Sequence, residues 1–443
     1  MQRTSLGFST FAVALYLLSS CLSASGQQSD RIQKWHEDFT TLSTALGRHQ
    51  ADFQKLYPHL TTDLASLLSR VPGMADAEVS LEVMRLTAGA GVAHNRAVVP
   101  FSIDLHRLPL AFHWYADGLA VIAASPAYSS ALGARVLRIG AMTPEQMLAA
   151  ISPWVAHEND PGLRQFCTEE MRSLDLLRAA EVVPTTDSVD LGLVRSGREP
   201  FTLTVRADGH EEEMKSVADW WGLPAKILSR RHPDSAYWYE YLEPQRAVYI
   251  QYNQCASDPD LPFRKFAAEL FRFIDSHSVS SAVLDLRFNG GGDAGILDPL
   301  KEGLRQRPGL LHNVYVLVGP GTFSAAKDET LLLRQGLKTY PGLAALHPPT
   351  FSQAELAAPP TGAFLVGESP GEKLNQYGNV KSVRLPHSGI SVAYSTRFLR
   401  WVKDGDPLVL LRDLPAPLTL SDAIGGRDVA LEAALARIES RRN

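Results

Sequence analysis

The sequence predicts an α/β protein: a core built on a mostly parallel sheet with helices on its faces, preceded by a helical N-terminal part and a small β-rich middle module. Three observations carry this. Short apolar runs at 247–252, 282–286, 314–318 and 363–366 alternate with helical stretches at 263–276, 297–306 and just after Ser324. Strands separated by helices connect by crossovers, which makes neighbouring strands parallel. The runs are apolar at successive positions, so both of their faces are covered. Upstream the texture differs twice, with helical spacing from about 30 to 87 and short alternating runs from about 108 to 207.

In order, the chain divides into segments 1–26, 30–105, 106–210 and 211–443. Arg3, an apolar run over 8–18 and the small residues after it form a signal-peptide pattern, the run being shorter than a usual membrane span. Leu18-Ser-Ser-Cys21 also fits a lipoprotein processing box in which Cys21 carries a lipid; ordinary cleavage around 24–26 is the alternative. Either way the mature protein is expected outside the cytoplasm, in the periplasm or cell envelope, touching a membrane only through such a lipid. Trp35, Phe39, Leu42, Leu46, Phe53 and Leu56 recur at helical spacing, and Asp76 opens another amphipathic stretch. Gly89-Ala-Gly-Val-Ala-His94-Asn95 ends it, and a short strand is expected through Val98, Val99 and Phe101. In the middle module 112–115, 119–122, 135–139 and 201–205 read as strands, while Thr143 and Pro144 start a helix as cap and first-turn proline. The polar, aromatic stretch 208–244 reads as a connector, and the Pro- and Ala-rich stretch 340–360 as a loop over the sheet.

With 443 residues, 45% hydrophobic and 21% charged, the chain has room for two or three domains and a large core. A net charge of -5 without a Lys/Arg run argues against a nucleic-acid partner, because phosphate binding needs a basic surface. Glu211-Glu-Glu213 reads as a solvated loop. There is no CxxC and no HExxH, so neither a metal centre nor a cofactor is expected. Cys167 and Cys255 remain in the mature chain and read as two separate buried thiols.

Two turns carry the chemistry. The run ending at Leu286 opens into Asn289-Gly-Gly-Gly292, where backbone N–H groups face outward with no Cβ in the way. The run 314–318 opens into Gly319-Pro-Gly-Thr-Phe-Ser324-Ala-Ala, which holds a serine exposed at a strand-to-helix turn. A serine so placed can attack a carbonyl and form an acyl-enzyme. The N–H of Ala325, with that of Gly290 or Gly291, would face the oxyanion.

Asp285-Leu-Arg-Phe-Asn289-Gly-Gly-Gly292, Thr322-Phe-Ser324-Ala-Ala and Gly367-Glu-Ser-Pro-Gly-Glu-Lys373-Leu-Asn375-Gln-Tyr377-Gly378 occur in this order. Together with the ending from Gly425, they resemble the tail-specific (C-terminal processing) serine peptidase family, to which tricorn-type proteases and interphotoreceptor retinoid-binding proteins are related. The resemblance implies a crotonase/ClpP-like core, a helical N-terminal part and a PDZ-like middle module, where the stretch from Gly133 to Gly140 carries the likeness. It makes Ser324 the nucleophile and offers two bases. Lys373 aligns with the lysine of a Ser-Lys dyad, but Pro370, Glu372 and Tyr377 depart from the pattern around it, and a glutamate beside the lysine favours its charged form. His94 matches the histidine of the tricorn-type branch, with only the histidine kept; Glu368 would then orient it. Lys327 stands where the family usually has glutamate. The expected function is an extracytoplasmic serine-type endopeptidase acting on protein or peptide substrates. The alternative is a catalytically inactive peptide- or lipid-binding homologue on the same scaffold. An acyl-CoA enzyme of the crotonase type fits an exported chain poorly.

Overall fold

The structure is a computed structural model; it describes residues 9–100, 103, 106–207, 214–216, 227–337 and 349–442, with only the backbone course for 9–26. The processing-box and cleavage-site side chains, the first eight residues and Glu211 to Glu213 lie outside what is described. No helix among the described residues is long and apolar enough to cross a membrane.

The N-terminal part is helical: α1 (Ser9–His49), α2 (Phe53–Leu56), α3 (Leu60–Arg70) and α4 (Asp76–Ala88). Trp35, Phe39, Leu42 and Leu46 fall on one buried stripe of α1 and join Leu60, Leu64 and Leu67 of α3 in one core. Glu78 reaches back to the Ala75 N–H at 2.9 Å and fixes the start of α4. The chain then turns through His94 into β1 (Arg96–Val98).

The middle module is an antiparallel sheet in the order β2-β3-β4-β5-β6: β2 (Leu110–Tyr115), β3 (Gly118–Ala124), β4 (Arg135–Ile139), β5 (Ser188–Val194) and β6 (Phe201–Arg206). Between β4 and β5 come α5 (Pro144–Ile151), α6 (Asp160–Glu170) and α7 (Leu174–Ala179). Thr143 accepts from the Gln146 N–H at 3.2 Å, capping α5, and Asn159 accepts from the Gly162 N–H at 2.8 Å, capping α6. The stretch expected to be a connector holds β7 (Lys215–Ser216), which pairs with β3, and β8 (Tyr237–Leu242), which closes one edge of the core sheet. Its tyrosines and tryptophan pack along β9 (Ala247–Tyr252) and the helix Phe263–Ser276, so aromatic content there signals an edge strand.

The core sheet runs β15-β12-β11-β10-β9-β8, with β10 (Ser281–Asp285), β11 (Val314–Val318), β12 (Phe364–Gly367) and β15 (Leu414–Pro415). All its pairings are parallel except that of the β8 edge. Val248, Ile250, Leu284 and Val316 pack under the helix Phe263–Ser276, while Ala247, Tyr249, Val283 and Leu317 pack under the closing helix Val429–Arg442. Two-sided burial is why these strands read as unbroken apolar runs. Arg287 ties that closing helix to β10 by forking onto Asp428 at 2.6 and 2.8 Å and pairing with Asp285.

In a third sheet, β1-β14-β13, only β1 is expected from the sequence: β13 (Gln376–Arg384) and β14 (Ser391–Leu399) form a hairpin that takes β1 as its edge. The whole is thus a mixed α/β fold with one mostly parallel and two antiparallel sheets. Cys167 and Cys255 are both buried and free.

Candidate active site

Ser324 ends the turn after β11 and starts the helix Ala325–Arg334 with φ 54° and ψ -127°. A non-glycine residue at positive φ is strained and persists only where its surroundings hold it. The Thr322 hydroxyl donates to Leu286 O at 2.9 Å and accepts from the Gly319 N–H at 3.0 Å; the Phe323 N–H donates to Asn289 O at 3.0 Å. The two turns read from the sequence are therefore stitched together, and the serine is pinned as the first one closes on the second.

Gly291 makes that closure possible. Its φ is 96°, and a Cβ there would sit 2.7 Å from Ser324 Cβ and 3.1 Å from the Ala325 nitrogen. Its own N–H donates to Asn289 Oδ1 at 2.9 Å, so Gly291 is a spacer and not the oxyanion donor the sequence offered as one option. The N–H groups of Gly290 and Ala325 meet no acceptor among the described residues, and they are the pair left to face a ligand oxygen.

His94 arrives from the turn between α4 and β1. Its neighbour Asn95 fixes that turn: Asn95 Nδ2 donates to Gln50 Oε1 at 2.9 Å and Tyr57 Oη at 3.0 Å, and its Oδ1 accepts from the Ser395 N–H at 2.9 Å. His94 Nε2 lies 3.0 Å from Ser324 Oγ. Its ring packs against Phe323 with centroids 4.6 Å apart, and Phe323 in turn meets Phe166 of α6.

The carboxylate behind His94 is Glu372. Its Oε1 lies 3.0 Å from His94 Nδ1, a close ionic approach with off-axis hydrogen-bond geometry, of the loose kind common before substrate binds. Its Oε2 accepts from the Ser324 N–H at 2.9 Å. One buried carboxylate thus holds both the ring and the backbone of the serine. Burial alone would pull the His94 pKa down; the Glu372 charge and hydrogen bond, helped by Glu158, outweigh it and leave the value raised above 6.5.

The remaining expectations fall elsewhere. Glu368 faces the cleft near Arg412 and Arg287, with burial pushing its carboxyl up; its N–H bonds Val318 O. The carboxylate that meets His94 is Glu372, so Glu368 is corrected to Glu372. Lys373 turns its Nζ to Asp406 at 3.1 Å, while the group within hydrogen-bond reach of Ser324 Oγ is His94. Lys327 points inward, fully buried, donating to Lys373 O and Leu374 O at 3.1 Å each, 3.0 Å from Asp328 and 3.8 Å from Glu372. It braces the turn that carries Glu372.

A cleft of about 550 Å³ opens beside the serine, lined among others by Gly290, Phe323, Phe166, Tyr115, Arg230 and Phe288, the last 51% exposed.

No protein-family model matches the sequence, and no curated protein does. Among solved structures, mature CPAF complexed with lactacystin is similar at 11% identity over 93% of this chain and 97% of that one, with a TM-score of 0.57. Mature CPAF itself is similar at 12% identity over 92% and 96%, with a TM-score of 0.57. The photosystem II D1 C-terminal processing protease aligns over 92% and 96% at 12% identity, with a TM-score of 0.39. Over more than nine-tenths of its length, the chain has the fold of mature CPAF.

Proposed function

We propose that the protein is a serine-type endopeptidase that cleaves protein or peptide substrates outside the cytoplasm. The observation that carries the reading is the 3.0 Å approach of His94 Nε2 to Ser324 Oγ, with Glu372 behind the ring. In the reaction Ser324 Oγ attacks the substrate carbonyl as His94 Nε2 takes its proton. The oxyanion meets the N–H groups of Gly290 and Ala325, and Glu372 stabilises the imidazolium. His94 then gives the proton to the leaving amine. Water, deprotonated by the same ring, releases the acyl group. Two observations support accommodation of a peptide: the cleft reaches Gly290 and Phe323 beside the serine, and it is walled by aromatic side chains from both the middle module and the core. Lactacystin, bound in one structure of mature CPAF, is on this reading a ligand to try at Ser324. Export, the possible lipid on Cys21, the PDZ-like reading of 106–210 and the crotonase-like reading of 211–443 rest on the sequence.

The test is fluorophosphonate labelling together with hydrolysis of an unstructured protein such as casein. Wild type is expected to label and cleave, and Ser324→Ala to do neither while keeping its circular dichroism spectrum. An unlabelled wild type leaves a silent, ligand-binding scaffold as the reading.

A further inference from the structure

The turn that bears Glu372 is gripped from the middle module. Asn159, just before α6, donates from Nδ2 to Pro370 O at 3.2 Å and to Leu408 O at 2.9 Å. Gly162 lies so close that a Cβ on it would come within 2.1 Å of Gly371 O. The Lys373 N–H is directed at Glu158 Oε2 at 3.4 Å, a long contact. Glu158 Oε1 is buried with no hydrogen-bond partner among the described residues. An ionisable group with an idle buried oxygen costs stability unless it does something else. The groups facing Glu158 are Glu372 and Lys373 from the turn before β13, Tyr377 from β13, Lys327 from the helix after Ser324, and His94.

We propose that Glu158 is a positioning residue of the Ser324–His94–Glu372 centre, by which the middle module holds the Glu372 turn and adds a second negative charge behind His94. The inference rests on the hydrolase reading above. Its electrostatic sense follows from the arrangement. Glu158 and Glu372 are like charges near one imidazole, and both favour the imidazolium over the neutral ring. Burial first, then the Glu372 charge, pushes the Glu158 carboxyl up to about 7, so Glu158 gains its charge as the pH rises through neutrality, overlapping the range above 6.5 into which His94 is raised. Glu158 and His94 therefore share protons on the acid side of the activity profile.

The deciding experiment compares wild type, Glu158→Gln and Glu158→Ala. Fluorophosphonate labelling of Ser324 is measured in all three, and kcat/KM for a fluorogenic peptide is followed from pH 5 to 9. Glu158→Gln keeps the acceptor facing the Lys373 N–H and removes the charge. Its acid limb is expected to move to lower pH by about half a unit or more, as loss of one nearby negative charge requires, and labelling at pH 6 should rise relative to that at pH 8. Glu158→Ala is expected to show the same shift and a lower kcat, because the turn loses its contact as well. If Glu158→Gln labels and cleaves with the wild-type profile, Glu158 is a packing residue and the proposal fails while the hydrolase reading stands. If wild type neither labels nor cleaves, both fall together.

Discussion

Glu372→Gln tests the centre most sharply, because a glutamine is nearly the same shape yet cannot do both jobs of the carboxylate. Glu372 accepts at two oxygens: Oε1 faces His94 Nδ1 at 3.0 Å and Oε2 faces the Ser324 N–H at 2.9 Å. A glutamine has one oxygen. If that oxygen faces His94, the amide NH2 is aimed at the Ser324 N–H, two donors meet, and a buried donor goes unsatisfied, at a cost of about 1–3 kcal/mol. If the oxygen stays on the Ser324 N–H, the NH2 faces Nδ1 and holds the proton on Nε2, the tautomer that cannot act as a base. In a serine-protease triad the equivalent loss lowers kcat roughly 10⁴-fold. The charge also disappears, leaving burial opposed by Glu158 without Glu372, so the His94 pKa falls. The expected result is a kcat/KM loss of roughly 10³-fold or more, with the acid limb displaced to lower pH. Peptide hydrolysis from pH 5 to 9 measures both, and thermal melting registers the first arrangement. Retention of wild-type turnover with an unmoved acid limb would refute the assignment, as would a larger loss in Glu368→Gln.

Three further outcomes follow. His94→Ala should lose far more activity than Lys373→Ala, since Lys373 is occupied by Asp406; peptide hydrolysis at pH 8 gives the order, and the reverse order would make this a Ser-Lys enzyme. Gly291→Ala should drive the Ser324 turn and the Ala325 N–H out of line, lowering kcat about 100- to 1,000-fold in a protein that still melts cooperatively. Lys301→Met removes the 2.7 Å partner of Glu329, both side chains being almost fully buried, and should destabilise the core by about 3–5 kcal/mol. Burial already pushes Glu329 up to about 7. A carboxyl raised above its unfolded value favours folding in its neutral form, so the penalty should be smaller at pH 5 than at pH 8, as melting at the two values would show.

Much of this was legible because the relevant signals are local. The strands 247–252, 282–286 and 314–318 announce themselves by two-sided burial, and Ser324 by the turn chemistry around it. His94 was identifiable as a residue type, since an imidazole needs little tuning to serve as a base, but nothing in the sequence gave its distance from the serine. The acid was misplaced at Glu368 because strand β12 ends there; which of two glutamates four positions apart reaches the ring depends on how the following turn folds back, and that turn is set by Lys327 and Asn159, contributed from far away in sequence. Glu372 was visible only as an oddity beside Lys373. The hairpin β13–β14 was missed because exposed residues dominate most of β13, and its partner β1 lies nearly 300 positions upstream.

His94 and Ser324 are 230 positions apart, and Glu372 follows the serine by another 48. The hydroxyl and its proton acceptor therefore emerge from the ribosome at well separated times, and the acid emerges last. What brings them together is the late hairpin, which recruits β1 and, through Ser395, the residue next to His94. A nascent or threaded polypeptide carries an unactivated serine, harmless to the machinery that handles it. On the proposed reading, the centre is assembled only once that hairpin has folded back onto β1.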